Sequence, residues 1–187
     1  MMIPSPIQFG KQPMRVTYSL IVANVAVFVA LQVAGAPLYA LLSQSGLTFF
    51  SGAYWQVITA MFVHFDIFHI GFNMIALYYF GRLNEISYSE GEYLAIYLGS
   101  GLLGNAVSLF VLPLNVETGG ASGAIFGLIG SYAARNRNPF NIALALVYAS
   151  FIFLESSGPG VNIYAHLFGI VGGFGLGLLF TKMNPPE

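Results

Sequence analysis

Charge and cysteine are scarce in this sequence of 187 residues. Only 7% of its residues are charged and 57% are hydrophobic, whereas soluble domains carry about 25% charged residues. The absence of cysteine excludes disulfides, thiol nucleophiles and cysteine-based metal sites. The net charge of -1 indicates no nucleic-acid partner. The composition therefore predicts an integral membrane protein in contact with the lipid bilayer, with little chain left for a domain outside it.

Six apolar runs predict an all-α, polytopic protein with six transmembrane helices. The runs cover residues 16–34, 56–80, 93–112, 122–134, 140–154 and 162–181. The fourth run has 13 residues and rises only ~20 Å, which is short for a hydrocarbon core of about 30 Å. We divide the chain into a short N-terminal segment, a membrane domain and a C-terminal tail, at residues 1–15, 16–182 and 183–187.

The basic residues predict the orientation of these helices. With six spans, all six basic residues fall on one side of the membrane: Lys11, Arg15, Arg82, Arg135, Arg137 and Lys182. Basic residues are enriched in cytoplasmic segments, so both termini are expected in the cytoplasm. The short chain favours a prokaryotic plasma membrane.

Polar side chains inside the predicted spans mark the candidate site, because a polar group in hydrocarbon is costly and often functional. The spans contain an asparagine, an aspartate and all three histidines of the chain: His64, Asp66, His69, Asn73 and His166. Counting about 1.5 Å per residue from the basic residue that ends each helix places His69, Ser122 and His166 at similar depth. Asn73 follows His69 by one helical turn, so both lie on one face.

This set of residues fits nucleophilic catalysis. A serine hydroxyl becomes a nucleophile when a histidine takes its proton, which Ser122 and His166 could do together. His69, Asn73 and the unpaired N–H groups at the start of the fourth helix could donate hydrogen bonds to an oxyanion. No aspartate is placed to orient the histidine, so the predicted arrangement is a dyad.

Small residues indicate how the two members of the dyad could meet. They recur at every fourth position of the fourth and sixth runs: Gly123, Gly127 and Ser131, and Ala165, Gly169, Gly173 and Gly177. Faces of this kind let two helix backbones approach closely. Such an approach would bring Ser122 within hydrogen-bonding reach of His166.

Other classes of protein fit parts of the pattern. A lone serine at a helix start is usually an N-cap. A haem or metal protein could use His69 and His166 as axial ligands, but that does not explain Ser122. A channel could use the same polar cluster. A zinc protease would need an HExxH motif, which is absent, and an aspartyl protease would need two aspartates where Asp66 is the only one.

The motifs resemble those of the rhomboid family of intramembrane serine proteases. Residues 120–123 are similar to its GxSG motif, residues 165–169 to its AHxxG motif, and residues 64–73 to its HxxxxHxxxN motif. Glu85 resembles a structural glutamate of the family. The resemblance covers about residues 55–177 and suits the six-helix prokaryotic form.

The resemblance implies a role for each matching residue. Ser122 would be the nucleophile, His166 the general base, and His69 and Asn73 would form the oxyanion hole with the Ser122 amide. Four residues would support the site: His64, Gly120, Gly123 and Phe126. Phe126 stands where the family commonly has a tyrosine, and Gln56 where it has an arginine. Residues 37–54 would be a membrane-embedded first loop and residues 155–161 a mobile cap.

The implied reaction is hydrolysis of a peptide bond in or near a transmembrane segment, through an acyl-enzyme and without metal or cofactor. The expected substrates are membrane proteins with helix-weak segments, because the backbone of an intact helix is hidden by its own hydrogen bonds. The alternative is a catalytically inactive rhomboid-like protein that binds membrane proteins.

Overall fold

A computed structural model describes residues 14–136, 138–140, 142–143, 147 and 162–184. Its helices are α1 (Arg15–Ala34), α2 (Ala36–Leu42), α3 (Gly46–Phe50), α4 (Gln56–Thr59), α5 (Ile67–Ser87), α6 (Glu90–Val111), α7 (Ser122–Arg135) and α8 (Ile163–Met183), with a 3-10 turn at Ala60–Phe62. In these residues the only strand-like pairing is an isolated bridge between Gln44 and Thr118. The described part of the chain is thus all-helical.

The helix lengths fit a membrane bundle. Three helices, α1, α6 and α8, are long and apolar enough to cross a membrane, and the segments Gln56–Phe62 and Ile67–Ser87 form a fourth candidate that is bent by 91°. Helix α7 has 14 residues, as expected for the short fourth run. The fifth run, at residues 140–154, falls mostly outside the described residues, as does the expected cap at 155–161. The six-helix count stays a prediction.

The second predicted span is wrong as a single helix. One span was expected over residues 56–80, but the chain breaks at residues 63–66 and α5 begins at Ile67. The side chain of Asp66 caps α5 by accepting hydrogen bonds from the amides of Phe68 (2.9 Å) and His69 (2.8 Å). An N-cap aspartate satisfies amides that have no partner within the helix. Asp66 and His64 therefore lie in the break and not inside a helix.

Helix α7 forms the centre of the bundle. Every residue from Gly123 to Tyr132 is buried, and α5, α6 and α8 all pack against this helix. The contact with α8 is closest where glycines face each other. A Cβ atom on Gly173 would lie 1.9 Å from the Gly127 carbonyl oxygen, and one on Gly169 would lie 2.1 Å from that of Gly123. The close approach predicted from the small residues is confirmed.

The polar ends of α6, α7 and α8 meet at one end of the bundle. Arg135 donates to the Asn184 carbonyl oxygen (3.3 Å), and the Asn184 amide donates to Glu92 (2.7 Å). The Arg135 guanidinium also lies over the Tyr88 ring, 5.0 Å from its centroid, a favourable cation–π position. These contacts set the three helix ends at one level.

Glu85 ties α1 to α5. Its carboxylate accepts hydrogen bonds from the amides of Val16 (2.8 Å) and Thr17 (3.1 Å) and from the Thr17 hydroxyl (2.5 Å). A carboxylate at a helix N-terminus satisfies unpaired amides and interacts favourably with the helix dipole. Glu85 is thus the cap of α1, although 68 residues separate it from Thr17.

Candidate active site

A glycine-containing loop precedes α7 and places Ser122 at the first position of that helix. The amide of Gly120 donates to the Ala60 carbonyl oxygen (2.8 Å), which fixes the loop on the 3-10 turn. Gly120 has φ +134°, a value that side-chain-bearing residues rarely adopt. A Cβ atom there would also lie 2.9 Å from Nε2 of His69 and 3.6 Å from the Ser122 hydroxyl oxygen. Gly120 is therefore required both by its backbone angle and by the His69 ring.

Ser122 and His166 are in hydrogen-bond contact across the interface of α7 and α8. The distance from the Ser122 hydroxyl oxygen to His166 Nε2 is 2.8 Å. His166 is only 3% exposed, and its ring stacks on Phe126 with centroids 4.4 Å apart and planes inclined by 18°. With Nε2 unprotonated, the hydroxyl donates to it, which is the geometry needed for proton transfer to a neutral imidazole.

His69 and Asn73 lie on the first two turns of α5. His69 is next to Gly120, as the clash of a Cβ atom there with its Nε2 shows. Asn73 is buried, and its side-chain amide donates to the His69 carbonyl oxygen (2.8 Å). This bond uses one of the two N–H groups of the carboxamide, so the second remains available as a donor. The described contacts thus join His69 directly to the serine loop, and Asn73 to His69.

His64 supports the peptide that precedes Ser122. Its side chain is fully buried, with Nδ1 3.3 Å from the Phe62 carbonyl oxygen and Nε2 3.4 Å from the Ala121 amide. A carbonyl only accepts, so Nδ1 carries the proton and Nε2 accepts from Ala121. His64 also packs edge-on against His69, with ring centroids 4.9 Å apart.

The first loop is fastened to the bundle by side chains that bind the end of α2. Trp55, Gln56 and Thr59 donate to the last three carbonyls of α2, at 2.9, 3.0 and 2.8 Å. The Gln56 oxygen also accepts from the Thr48 hydroxyl of α3. Gln56 is 1% exposed, and so a neutral amide anchors this loop where the family motif has an arginine.

Two further contacts of the site were missed by the sequence analysis. Gln44 and Thr118 exchange backbone hydrogen bonds of 2.9 and 2.8 Å, which join the first loop to the segment before Ser122. Asn162 caps α8 by accepting from the Ala165 amide (3.0 Å), and its own amide donates to the Ser108 hydroxyl of α6 (2.6 Å). An asparagine at the start of an apolar run is an N-cap signal, and it could have identified this cap.

These observations define an all-helical membrane protein in which a serine and a histidine are hydrogen-bonded inside a bundle. A family model described as Rhomboid domain matches residues 51–183. The chain belongs to the rhomboid family.

Curated relatives agree with this assignment. YdcA of Bacillus subtilis (strain 168), which carries a provisional assignment as a rhomboid protease, is 32% identical over 139 residues, covering 71% of this chain and 70% of YdcA. Rhomboid protease GluP of the same organism is 30% identical over 173 residues, covering 84% of this chain and 33% of GluP. Rhomboid-like protease 2 of Toxoplasma gondii is 31% identical, covering 70% of this chain and 49% of that protein. The chain thus spans a third to a half of the length of the last two, and the family relationship supports an intramembrane protease function in general terms.

Proposed function

We propose that this protein is an intramembrane serine endopeptidase that cleaves peptide bonds in or near transmembrane segments. The observation that carries the proposal is the 2.8 Å contact between the Ser122 hydroxyl oxygen and His166 Nε2. A serine becomes reactive when a base accepts its proton, and this contact supplies the base. Membership in the rhomboid family supports the same reaction class.

The reaction proceeds through an acyl-enzyme. The Ser122 oxygen attacks the substrate carbonyl carbon while its proton passes to His166 Nε2. His166 returns this proton to the leaving amine as the C–N bond breaks. Water then attacks the ester carbon while His166 accepts a proton from the water. His166 returns this proton to the Ser122 oxygen as the ester bond breaks, and the N-terminal fragment leaves with a new C-terminal carboxyl group.

The oxyanion is stabilised by donors around the start of α7. Ser122 is the first residue of that helix, so its amide has no partner within the helix and points in the direction of the positive end of the helix dipole. His69 supplies a ring N–H and Asn73 a side-chain N–H. His64, Gly120, Gly123 and Phe126 hold these groups in place. No step uses a metal or a cofactor.

The proposed setting is a six-helix domain at residues 16–182, with both termini in the cytoplasm of a prokaryotic cell. Its substrates are membrane proteins whose segments unwind easily, since an intact helix hides its carbonyl groups.

The proposal is tested by labelling the purified protein with a fluorophosphonate, which reacts with activated serines. Wild-type protein is expected to label, and Ser122→Ala and His166→Ala are not. Ser51→Ala is the matched control, because the Ser51 hydroxyl bonds only within the first loop, to the Leu47 carbonyl oxygen. Labelling that persists in Ser122→Ala would refute the proposed nucleophile.

The same variants are then tested on a transmembrane substrate with a helix-weak segment. Cleavage by wild type and none by Ser122→Ala is the expected result. A well-folded wild-type protein that binds this substrate but neither labels nor cleaves would be an inactive rhomboid-like binding protein.

A further inference from the structure

Three aromatic rings connect the first loop to His69. The ring of Tyr39, on α2, stacks on Phe65 with centroids 5.9 Å apart and planes inclined by 14°. Phe65 stacks in turn on His69, at 6.2 Å and 15°. Both distances lie in the range of favourable aromatic pairs. The orientation of the His69 ring is thus linked through Phe65 to a residue 30 positions earlier in the chain.

The hydroxyl group of Tyr39 holds its end of this stack in place. It donates to the His64 carbonyl oxygen (3.2 Å) and accepts from the Gln32 side chain near the end of α1 (2.9 Å). Helix α2 itself is held by the three side chains that bind its last carbonyls. Tyr39 is therefore fixed relative to the break that carries both His64 and Phe65.

Among the described ring contacts of His69, the stack on Phe65 is the one that lies along a face of the imidazole. His69 lies in the first turn of α5, and its Nε2 approaches Gly120, which has no side chain to pack against it. His64 packs against it edge-on and Phe65 covers a face, but Phe65 is itself 39% exposed. A hydrogen-bond donor to an oxyanion is effective only when its direction is set before the reaction. The Tyr39 ring, which packs on Phe65, therefore limits the rotation of the His69 ring.

We propose that Tyr39 is a positioning residue of the oxyanion hole, which acts on His69 through Phe65. This inference rests on the proposed function of His69. It assigns to the first loop a part in the chemical step, besides any part in holding the substrate.

The test compares Tyr39→Leu and Tyr39→Phe in steady-state cleavage of a transmembrane peptide in lipid vesicles. Tyr39→Leu removes both ring and hydroxyl and is expected to lower kcat roughly 2- to 15-fold at unchanged KM, the range that one aromatic pair supports. Tyr39→Phe retains the ring and is expected to lose less. Rates are expressed per fluorophosphonate-reactive serine, so that a smaller folded fraction does not alter them.

The matched control is Tyr54→Leu, since Tyr54 also lies in the first loop and packs edge-on against Phe49, away from the histidines. It is expected to leave kcat unchanged. Equal kcat values in Tyr39→Leu and Tyr54→Leu, or a change confined to KM, would overturn the inference.

A double variant separates action through His69 from a general structural effect. If Tyr39 acts through His69, Tyr39→Leu has no further effect in a His69→Ala background, measured by single-turnover cleavage. Losses that multiply would contradict the inference. A wild-type protein that neither labels nor cleaves would instead defeat the proposed function, so the two failures are distinguishable.

Discussion

A methyl group added at the contact of α7 with α8 tests whether their close approach holds the proposed catalytic pair, Ser122 and His166, together. In Gly173→Ala, the new Cβ atom would lie 1.9 Å from the Gly127 carbonyl oxygen and 2.4 Å from its carbonyl carbon. Both partners are backbone atoms, which cannot rotate away as a side chain can. The helices must therefore move apart.

The required movement can be worked from these distances. Restoring even a tight contact of 3.0 Å from 1.9 Å separates the helices by about 1.1 Å at this point. If this helix separation is transmitted rigidly to the site, the 2.8 Å distance between Ser122 and His166 grows by 1.1 Å, to as much as 3.9 Å. This exceeds the ~3.2 Å limit of a good hydrogen bond. A displacement of this size at a reacting group costs about 100-fold in rate, and overpacking costs about 1–3 kcal/mol of stability.

Gly175→Ala is the matched control. It lies on the same helix, but a Cβ atom there has nothing within 4 Å, and alanine in a helix is favoured over glycine by about 0.5–1 kcal/mol. Fluorophosphonate labelling rates and thermal unfolding in detergent compare the two variants. We expect Gly173→Ala to label about 100-fold more slowly and Gly175→Ala to match wild type. Equal labelling rates in both variants would refute the view that glycine contacts set the distance between Ser122 and His166.

Three further substitutions test how the helices and the first loop are held. Glu85→Gln puts an amide donor where three donors converge, and we expect a loss of about 2 kcal/mol in the free energy of unfolding, measured by chemical denaturation; an unchanged value would mean that α1 needs no carboxylate. Asp66→Ala removes the cap of α5 and should cost about 1 kcal/mol in the same assay, whereas Asp66→Ser should restore most of it; equal losses would exclude capping as the cause. Gln56→Leu leaves the Ala40 carbonyl without its side-chain donor and the Thr48 hydroxyl without its acceptor, and should cost about 1–3 kcal/mol, with Ser51→Ala as a first-loop control; hydrogen exchange at the end of α2 should rise in Gln56→Leu alone.

Features of the fold that depend on residues recurring at regular spacing along a helix could be predicted from the sequence. The small residues of α7 and α8 recur every fourth position, and this periodicity alone predicts a close helix contact. The level of Ser122 relative to His166 followed from counting residues to the charged helix ends. The contact of 2.8 Å is the expected result of both features.

The break before α5 could not be predicted from hydropathy. The apolar run continues through Val63, Phe65 and Ile67, and neither proline nor glycine marks the end of the first segment. The signal that was present is Asp66, a good N-cap residue immediately before Ile67. A cap aspartate and a solvated aspartate near the membrane interface look the same in a sequence, so the break and its cause were missed together.

The contacts that hold the first loop in place could not be predicted from sequence patterns, for a different reason. Tyr39, Gln56 and Trp55 act on backbone carbonyls or rings that are distant in sequence. Such contacts have no periodicity, and any residue supplies the carbonyl acceptor. Gln56 was visible only as a departure from the family motif, and its bonds to the end of α2 explain how a neutral side chain serves there.

The short length of α7 has a consequence for how far a substrate must unfold. Its 14 residues rise ~21 Å, about 9 Å less than a typical hydrocarbon core. Arg135 meets the polar ends of α6 and α8. If these ends lie at the membrane surface, the shortfall falls at the Ser122 end. An extended chain advances about 3.3 Å per residue, so roughly three residues suffice to lead a scissile bond from the nearer membrane surface down to the serine. Under the proposed function, a substrate would therefore unwind less than one turn of helix to be cut.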